Sequence, residues 1–465
     1  MKGKVSISIP TSSTLTRRLM LSGLSRTQSS AIASLFLNWC HRSGPEWTNS
    51  RWKDLRQWYE MYLAADRDAA AVTPPQYFRV NRHGLPYGCL NAIFKLRPDK
   101  ALLALSINTL LVASGQLASQ QQKFLRGLQG NGVAYTPELR EKLMADFTEV
   151  RIPRKLRTRT FNGEFRLPVL ADLNGKATIP VGKRTLKLQK PTSDKPTRKG
   201  KLKQVESRKT LNAREKSVQA AEALVEAWKT VPAVTAEFLE DSGHLDYIPW
   251  DVLAPGGYRF DPHFEDTIGV VGHIQEPELK ARNIHNSHLV TQVTLEPLGQ
   301  LWYGMLRKIG YNLDGEITQD WGRDCFANQT SGVAWVQQQL RSGIELAGAD
   351  LSSATDLLSL DACIDIVNQV FFPNLLGDAE YLRHVQYFRD CSRAPVWDPV
   401  EDSHVKWEQG QPLGLYPSFA LLGLTNNALC ILACKKAGLP TNSYCVLGDD
   451  TIMDARASEY YLELV

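Results

Sequence analysis

No Cys-x-x-Cys pair occurs among the eight cysteines of this 465-residue chain, and its nine histidines show no clustering. That spacing argues against a structural zinc site, and a chain this long does not need a secreted disulfide framework. Cys430 and Cys434 lie one helical turn apart in an apolar run, which points to core packing. No secretory signal or bilayer-spanning run stands out. The stretch 101–117 is short, carries Ser, Asn, Thr and Gln, and reads as a buried helix. Internal repeats are absent. So are acids at the start: the first is Glu46, preceded by Lys2, Lys4, Arg17, Arg18, Arg26 and Arg42 among many hydroxyl residues. This N-terminus reads either as a mitochondrial transit peptide or as a basic arm on RNA.

What is present is an ordinary globular composition, 43% hydrophobic and 22% charged, long enough for two or three buried cores. Net charge is only +5, but it is unevenly placed: residues 151–216 hold twenty Lys/Arg against five acids. Such a stretch suits a polyanion, whose condensed counterions are released on binding, or else a solvated flexible face. Residues 1–150 show helical spacing over 30–39 and 52–63, punctuated by Ser43-Gly44-Pro45 and Pro74-Pro75. Within the basic segment, 191–203 looks like an exposed loop. Amphipathic helix returns from Val218, and beyond Ile268 strand and helix patterns mix as in an α+β domain.

The carboxylates carry the chemistry. Gly448-Asp449-Asp450 sits between two short apolar strand patterns, so a hairpin would carry two acids at its tip. Gly and Asp are also ordinary turn residues. About a hundred residues upstream, 344–349 reads as a short buried strand ending at Asp350, followed by Ser352, Ser353, Thr355, Asp356 and a helical run over 357–372. An acid closing one strand beside a hairpin with two more is what two-metal phosphoryl transfer requires, the ions standing about 4 Å apart. Asp350 and Asp449 are the expected principal ligands and catalytic acids, with Asp450 auxiliary. Asp356 is equally well placed to cap a helix.

Between these acids a Gly/Pro loop, 410–417, leads into a long apolar helix that stops near Gly438. Gly414 would let the backbone approach a ligand or flex, and Ser418 would cap the helix or face a nucleotide. Farther upstream, strand alternation puts Lys280 and Arg282 on one side, where they would suit a triphosphate or simply be solvated.

In order, the Lys/Arg strand (IQEPELKAR, 274–282), DLSSATD (350–356), GQPLGLYPSFALLGLTNN (410–427) and VLGDD (446–450) resemble motifs F, A, B and C of RNA-dependent RNA polymerases. The resemblance is to the capsidless narnavirus and mitovirus group, with its ourmia-like relatives. It is strong over 268–455 and looser over 40–110, where SGPEW (43–47) agrees. It implies an α+β right-hand polymerase fold of fingers and palm, with an antiparallel palm sheet flanked by helices and no thumb. The domains expected are a helical region (1–150), a basic linker or loop (151–216), fingers with motif F (217–345), and a palm with motifs A, B, C and the start of D (346–465).

By the same resemblance Asp350, Asp449 and Asp450 bind two Mg2+, for which Mn2+ can substitute, and Lys280 and Arg282 hold the incoming NTP. Asp356 and Ser418 read the ribose, with Gly414 and Asn426 also in the nucleotide site. Two positions depart from the pattern. Leu422 stands where many picorna-like relatives carry the ribose-selecting Asn, and Glu278 stands where Gly is usual. The chain stops fifteen residues after Asp450, inside the helix that begins motif D. The expectation is therefore a truncated or divided enzyme, with a second chain supplying motifs D and E and the thumb. RNA template and product are the expected partners, with no membrane span, in the cytoplasm or mitochondrion of a host cell. Two alternatives are a reverse transcriptase, disfavoured by the small residues after Asp350, and a non-catalytic RNA-binding subunit of a divided replicase.

Overall fold

A computed structural model describes residues 5–165, 231–243, 267–309 and 321–465, together with a short ladder of β3 (Pro180–Val181) and β4 (Arg184–Thr185). The exposed loop expected over 191–203 and the amphipathic run from Val218 to residue 230 lie outside the described residues. Two compact units emerge: residues up to Phe124 with 272–284, and residues from Leu125 to Val271 with His285 to Val465.

In the first unit, β1 (Ile7–Ser8) pairs with β2 (Val112–Ala113), and helices α1 (Ser12–Met20), α2 (Arg26–Ser43), α3 (Pro45–Ala64), α4 (Asn91–Phe94) and α5 (Pro98–Leu105) enclose an aromatic core. The break between α2 and α3 falls where the sequence places it. Gly44 adopts φ +91° and Pro45 opens the next helix, a position where its missing N–H costs nothing. Trp52, Trp58, Tyr59, Phe36 and Phe94 are all essentially buried. They meet edge to face, for example Phe36 with Trp52 at 5.1 Å, the arrangement aromatic quadrupoles prefer. The stretch 101–117 is not one helix. After Leu105 it tightens into a 3-10 segment, Ser106–Leu110, where the Ser106 and Thr109 hydroxyls donate to carbonyls three residues back.

Strands β5 (Gly269–Glu276) and β6 (Lys280–Ser287) form a hairpin whose tip belongs to this unit. Composition alone divides the chain near residue 150 and leaves 272–284 with the later residues. The tip instead joins the N-terminal helices because Asn49 Nδ2 donates to the Glu278 carbonyl (2.6 Å) and Gln120 of α6 (Ala118–Leu128) to that of Leu279 (2.7 Å). Leu279 itself enters the aromatic core.

The second unit holds the acidic strands. Here β7 (Leu346–Asp350), β10 (Tyr444–Leu447) and β11 (Asp450–Asp454) make an antiparallel sheet in the order β10-β11-β7. A separate sheet joins β5 in parallel to β8 (Val396–Asp398), which pairs with β9 (Ser403–Val405). The helices, in chain order, are α7 (Pro137–Phe147), α8 (Ala233–Asp241), α9 (Leu289–Thr294), α10 (Glu296–Leu306), α11 (Gln329–Arg341), α12 (Ala354–Leu357), α13 (Leu360–Phe371), α14 (Ala379–Arg393), α15 (Ser418–Lys436) and α16 (Ala455–Leu464). Helix α15 is apolar on every side and is accordingly wrapped by α10, α13 and α16. It is long and apolar enough to cross a membrane, but nine-tenths of it is covered by the protein itself. Cys430 and Cys434 lie in that covered core, their thiols pushed up chiefly by burial.

Gly299 of α10 is the point of closest approach to the loop before α15, since any Cβ there would overlap the Tyr416 ring. Gly299→Ala gains about 1 kcal/mol of helix propensity, whereas overpacking costs about 1–3 kcal/mol. The expected outcome is net destabilisation, seen as a lower urea midpoint. A midpoint at or above that of the parent protein would mean that the ring moves away freely.

Candidate active site

The register of the three-stranded sheet positions the acids. Asp450 is the direct cross-strand partner of Asp350, and Leu447 pairs with Asp450 across the Gly448-Asp449 turn. Gly448 adopts φ +66°, the positive value that a tight hairpin needs at its first turn residue. Directly opposed residues point their side chains to the same face with Cα atoms about 4.5–5.5 Å apart. One further peptide, about 3.8 Å, reaches Asp449. The Asp350 and Asp450 side chains are exposed and that of Asp449 is half-exposed, so water and cations can reach all three. Oxygen donors at this density suit a hard divalent cation. As the side chains stand, no group of three His, Cys, Asp or Glu among the described residues closes around an ion position. What the sheet register brings together is the backbone of Asp350, Asp449 and Asp450.

Behind the hairpin, two amides in the middle of α15 hold it. Asn426 is fully buried, and its Nδ2 donates to the Gly448 carbonyl (2.8 Å) and to Thr451 Oγ1 (2.9 Å). Its Oδ1 accepts from the Tyr461 hydroxyl of α16 (2.8 Å). The expected nucleotide contact is therefore replaced by a structural one, because donors and acceptor alike are turned away from solvent onto the turn. Asn427 does the same one residue on. It donates to Asp324 Oδ2 (2.7 Å) and accepts from the Tyr444 hydroxyl (2.8 Å). Asp324 is buried, and burial raises its pKa from 3.8 to about 7 despite hydrogen bonds from the Phe326 N–H and Asn427. Sequence reasoning missed these roles. The available signal was two adjacent amides in an otherwise apolar helix, which a buried position obliges to find partners.

The motif B loop is pinned along its length. Gln411 N–H donates to the Thr355 carbonyl (2.7 Å), Leu360 N–H to that of Gln409 (3.0 Å), and His285 N–H to that of Leu413 (2.7 Å). Gly414, at φ +125°, approaches the backbone of His285 rather than a ligand, and a Cβ there would overlap the His285 carbonyl. Gln292 clamps the next turn, donating to the Gly414 carbonyl (2.6 Å) and accepting from the Tyr416 N–H (2.9 Å). Ser418 is buried, and its hydroxyl donates to the Pro412 carbonyl (2.9 Å). It neither caps α15 nor faces open space.

Asp356 is not a helix cap. Ser359 caps α13, and Asp356 lies inside the short α12, where its Oδ1 accepts from the Trp407 indole (2.9 Å). Lys280 and Arg282 belong to the other unit. Both are exposed with Ala281 less so between them, as the expected alternation requires, and Arg282 is paired to Glu276 (2.7 Å). Glu278, the expected disruptive charge, is held by Lys53 (3.4 Å) and Arg56 (3.8 Å), and neutralised there.

Asn426→Ala removes two donors and an acceptor at once, stranding the Tyr461 and Thr451 hydroxyls and the Gly448 carbonyl. The expected loss is about 2–4 kcal/mol in urea unfolding, and a loss below about 1 kcal/mol would show that the clamp is not what holds the hairpin. Asp324 makes stability depend on pH. Its folded pKa lies above its ordinary value, so the folded chain keeps a proton that the unfolded chain releases between about pH 4 and 7. Its contribution is greatest below that window, falls by up to about 1.4 kcal/mol per pH unit across it, and is flat above. The stability of the parent protein relative to Asp324→Asn should therefore fall as pH rises from 4 to 7. A constant difference would mean that Asp324 stays ionised throughout.

Residues 215–465, more than half the chain, match the family described as Mitovirus RNA-dependent RNA polymerase. A stretch of 132 residues, 28% of the chain, is 36% identical to the RNA-directed RNA polymerase of Cryphonectria parasitica mitovirus 1, and spans 15% of that relative's length. The acidic hairpin, its opposing strand and the loop before α15 all fall inside the family match, and the chain belongs to the mitovirus RNA-dependent RNA polymerase family.

Proposed function

We propose that this chain catalyses template-directed transfer of NTPs to an RNA 3′ end, with residues 346–465 as palm and 217–345 as fingers in a right-hand arrangement. The observation that carries the reading is the pairing of Asp350 with Asp450 next to Asp449, inside the family match. Asp350 and Asp449 would hold divalent cations, Mg2+ or Mn2+, with Asp450 auxiliary. When bound, such ions neutralise the attacking 3′-oxygen and the departing pyrophosphate. The protein's own part is positional. Asn426 and Phe419 fix the Gly448 turn that carries Asp449, and the sheet register fixes Asp350 against Asp450.

Asp356, oriented by Trp407, is the acid that would meet the ribose 2′-hydroxyl, while Ser418 and Gly414 shape the loop beside it. Lys280 and Arg282 would bind the triphosphate, as two cations on one strand face suit successive phosphates. RNA template, RNA product and NTPs are the ligands of this reading. Its setting is replication of a viral RNA inside a host cell, in cytoplasm or mitochondrion.

Mn2+ titration followed by electron paramagnetic resonance tests the metal site on this chain directly. Asp350→Ala and Asp449→Ala should each weaken Mn2+ binding at least about ten-fold, the loss of one charged ligand, while leaving single-stranded RNA binding intact. In a preparation containing this chain that extends a primer, Asp449→Ala should abolish nucleotide addition. Primer extension at the parent rate would sink the assignment.

A further inference from the structure

The hairpin loop after α3 presents aromatic and cationic side chains to solvent with no acid among them. From Ala69 to Pro98 the chain has no Asp or Glu, and it carries Arg79, Arg82, Lys95 and Arg97. Tyr77 and Tyr87 are 66% and 68% exposed, values that decide against any packing role. Phe78 turns inward against Trp39 and Trp58, while Tyr77 and Arg79 on either side of it are exposed.

The loop is built rather than loose. Tyr87 N–H donates to the Arg79 carbonyl (2.8 Å), Asn81 N–H to that of Leu85 (2.8 Å), and Val80 bridges Pro86. Asn81 Oδ1 accepts from the His83 and Leu85 N–H groups, and Gly84 closes the turn at φ +72°. Arg79 and Tyr87 are thus opposed across the ladder. On α3, the Arg51 guanidinium lies 4.3 Å from the Tyr77 ring centroid and 5.9 Å from that of Trp47, itself 38% exposed. Asp54 holds Arg51 in place at 2.9 Å. Among the described residues neither Arg79 nor Arg82 has a carboxylate partner; Arg82 Nε donates only to the neighbouring His83 Nε2 (3.1 Å), so the charge of both cations is left for phosphates.

We propose that this surface is a stacking platform for single-stranded RNA, with bases on Tyr77 and Tyr87 and phosphates on Arg79 and Arg82. Exposed rings flanked by arginines that no carboxylate neutralises are what sequence-tolerant binding of unpaired bases requires, because every base offers a π face. Duplex RNA keeps its bases stacked on one another and cannot use the rings. The platform extends the polymerase reading by giving its RNA partner a surface in the first unit, and it rests on that reading only for RNA over DNA.

The test uses the intact chain with a single-stranded oligouridine carrying 5-iodouridine, irradiated and mapped by mass spectrometry. Adducts are expected on the peptides holding Tyr77 and Tyr87. Affinity for oligo(U) should fall about ten-fold or more in Tyr77→Ala/Tyr87→Ala and return with Tyr77→Phe/Tyr87→Phe. Arg79→Ala/Arg82→Ala should lower the slope of log affinity against log salt by roughly 0.7 for each phosphate that is no longer neutralised. Both tyrosines are exposed, so unchanged unfolding midpoints check that the variants fold. Adducts confined to other segments would overturn the platform. So would an alanine pair that binds like the parent protein, or equal competition by an abasic oligomer or poly-glutamate. Asp449→Ala protein should crosslink normally, so a failed metal-site assignment would leave this result readable.

Discussion

The Gly448 turn stays where it is because a buried side-chain amide grips it. A hairpin of four and five residues has little independent stability, and a tip carrying two adjacent carboxylates adds charge repulsion. Asn426 supplies the fixed point. Two donors reach across to the turn and the following strand, and one acceptor receives the Tyr461 hydroxyl from α16. Because α15 is enclosed by α10, α13 and α16, the amide cannot turn to water, and the hydrogen bonds have no competitor. The acids at the tip remain exposed while everything beneath them is fixed.

The same logic extends to the loop before α15. Its carbonyls and N–H groups are taken up by Thr355, His285, Gln292 and Ser418, so the loop is held between the turn after Asp350 and the segment after β6. Residues that resemble ligand contacts in sequence thereby serve as supports. Ser418 and Gly414 shape the loop, and Asp356, held by the Trp407 indole, keeps one carboxylate in a defined direction. Charge thus stands at the surface, with amides and hydroxyls behind it.

Charge is managed differently in the first unit. Glu278 takes φ +63° at the β5–β6 turn and is met by two cations of α3. The charge of the turn residue is thus absorbed locally, leaving Lys280 and Arg282 exposed. The loop at 77–87 does the opposite, leaving Arg79 and Arg82 without a carboxylate and the Tyr77 and Tyr87 rings about two-thirds exposed.

The sequence by itself determined the local elements and the acids they carry. Short apolar strand runs end at Asp350 and flank Gly448-Asp449-Asp450, and the apolar helix runs from Ser418 to Lys436, because hydrophobic patterning and turn chemistry act between near neighbours in the chain. It could not determine which polar groups face inward. Asn426, Ser418 and Gly414 read equally well as nucleotide contacts, and only tertiary packing turned them onto Gly448, Pro412 and His285. It also hid the joining of 272–284 to the N-terminal helices, which rests on bonds from Asn49 and Gln120 to residues more than 150 positions away. Hydrogen bonds between residues so far apart leave no periodicity to read, and they exist only once both partners have lost their water.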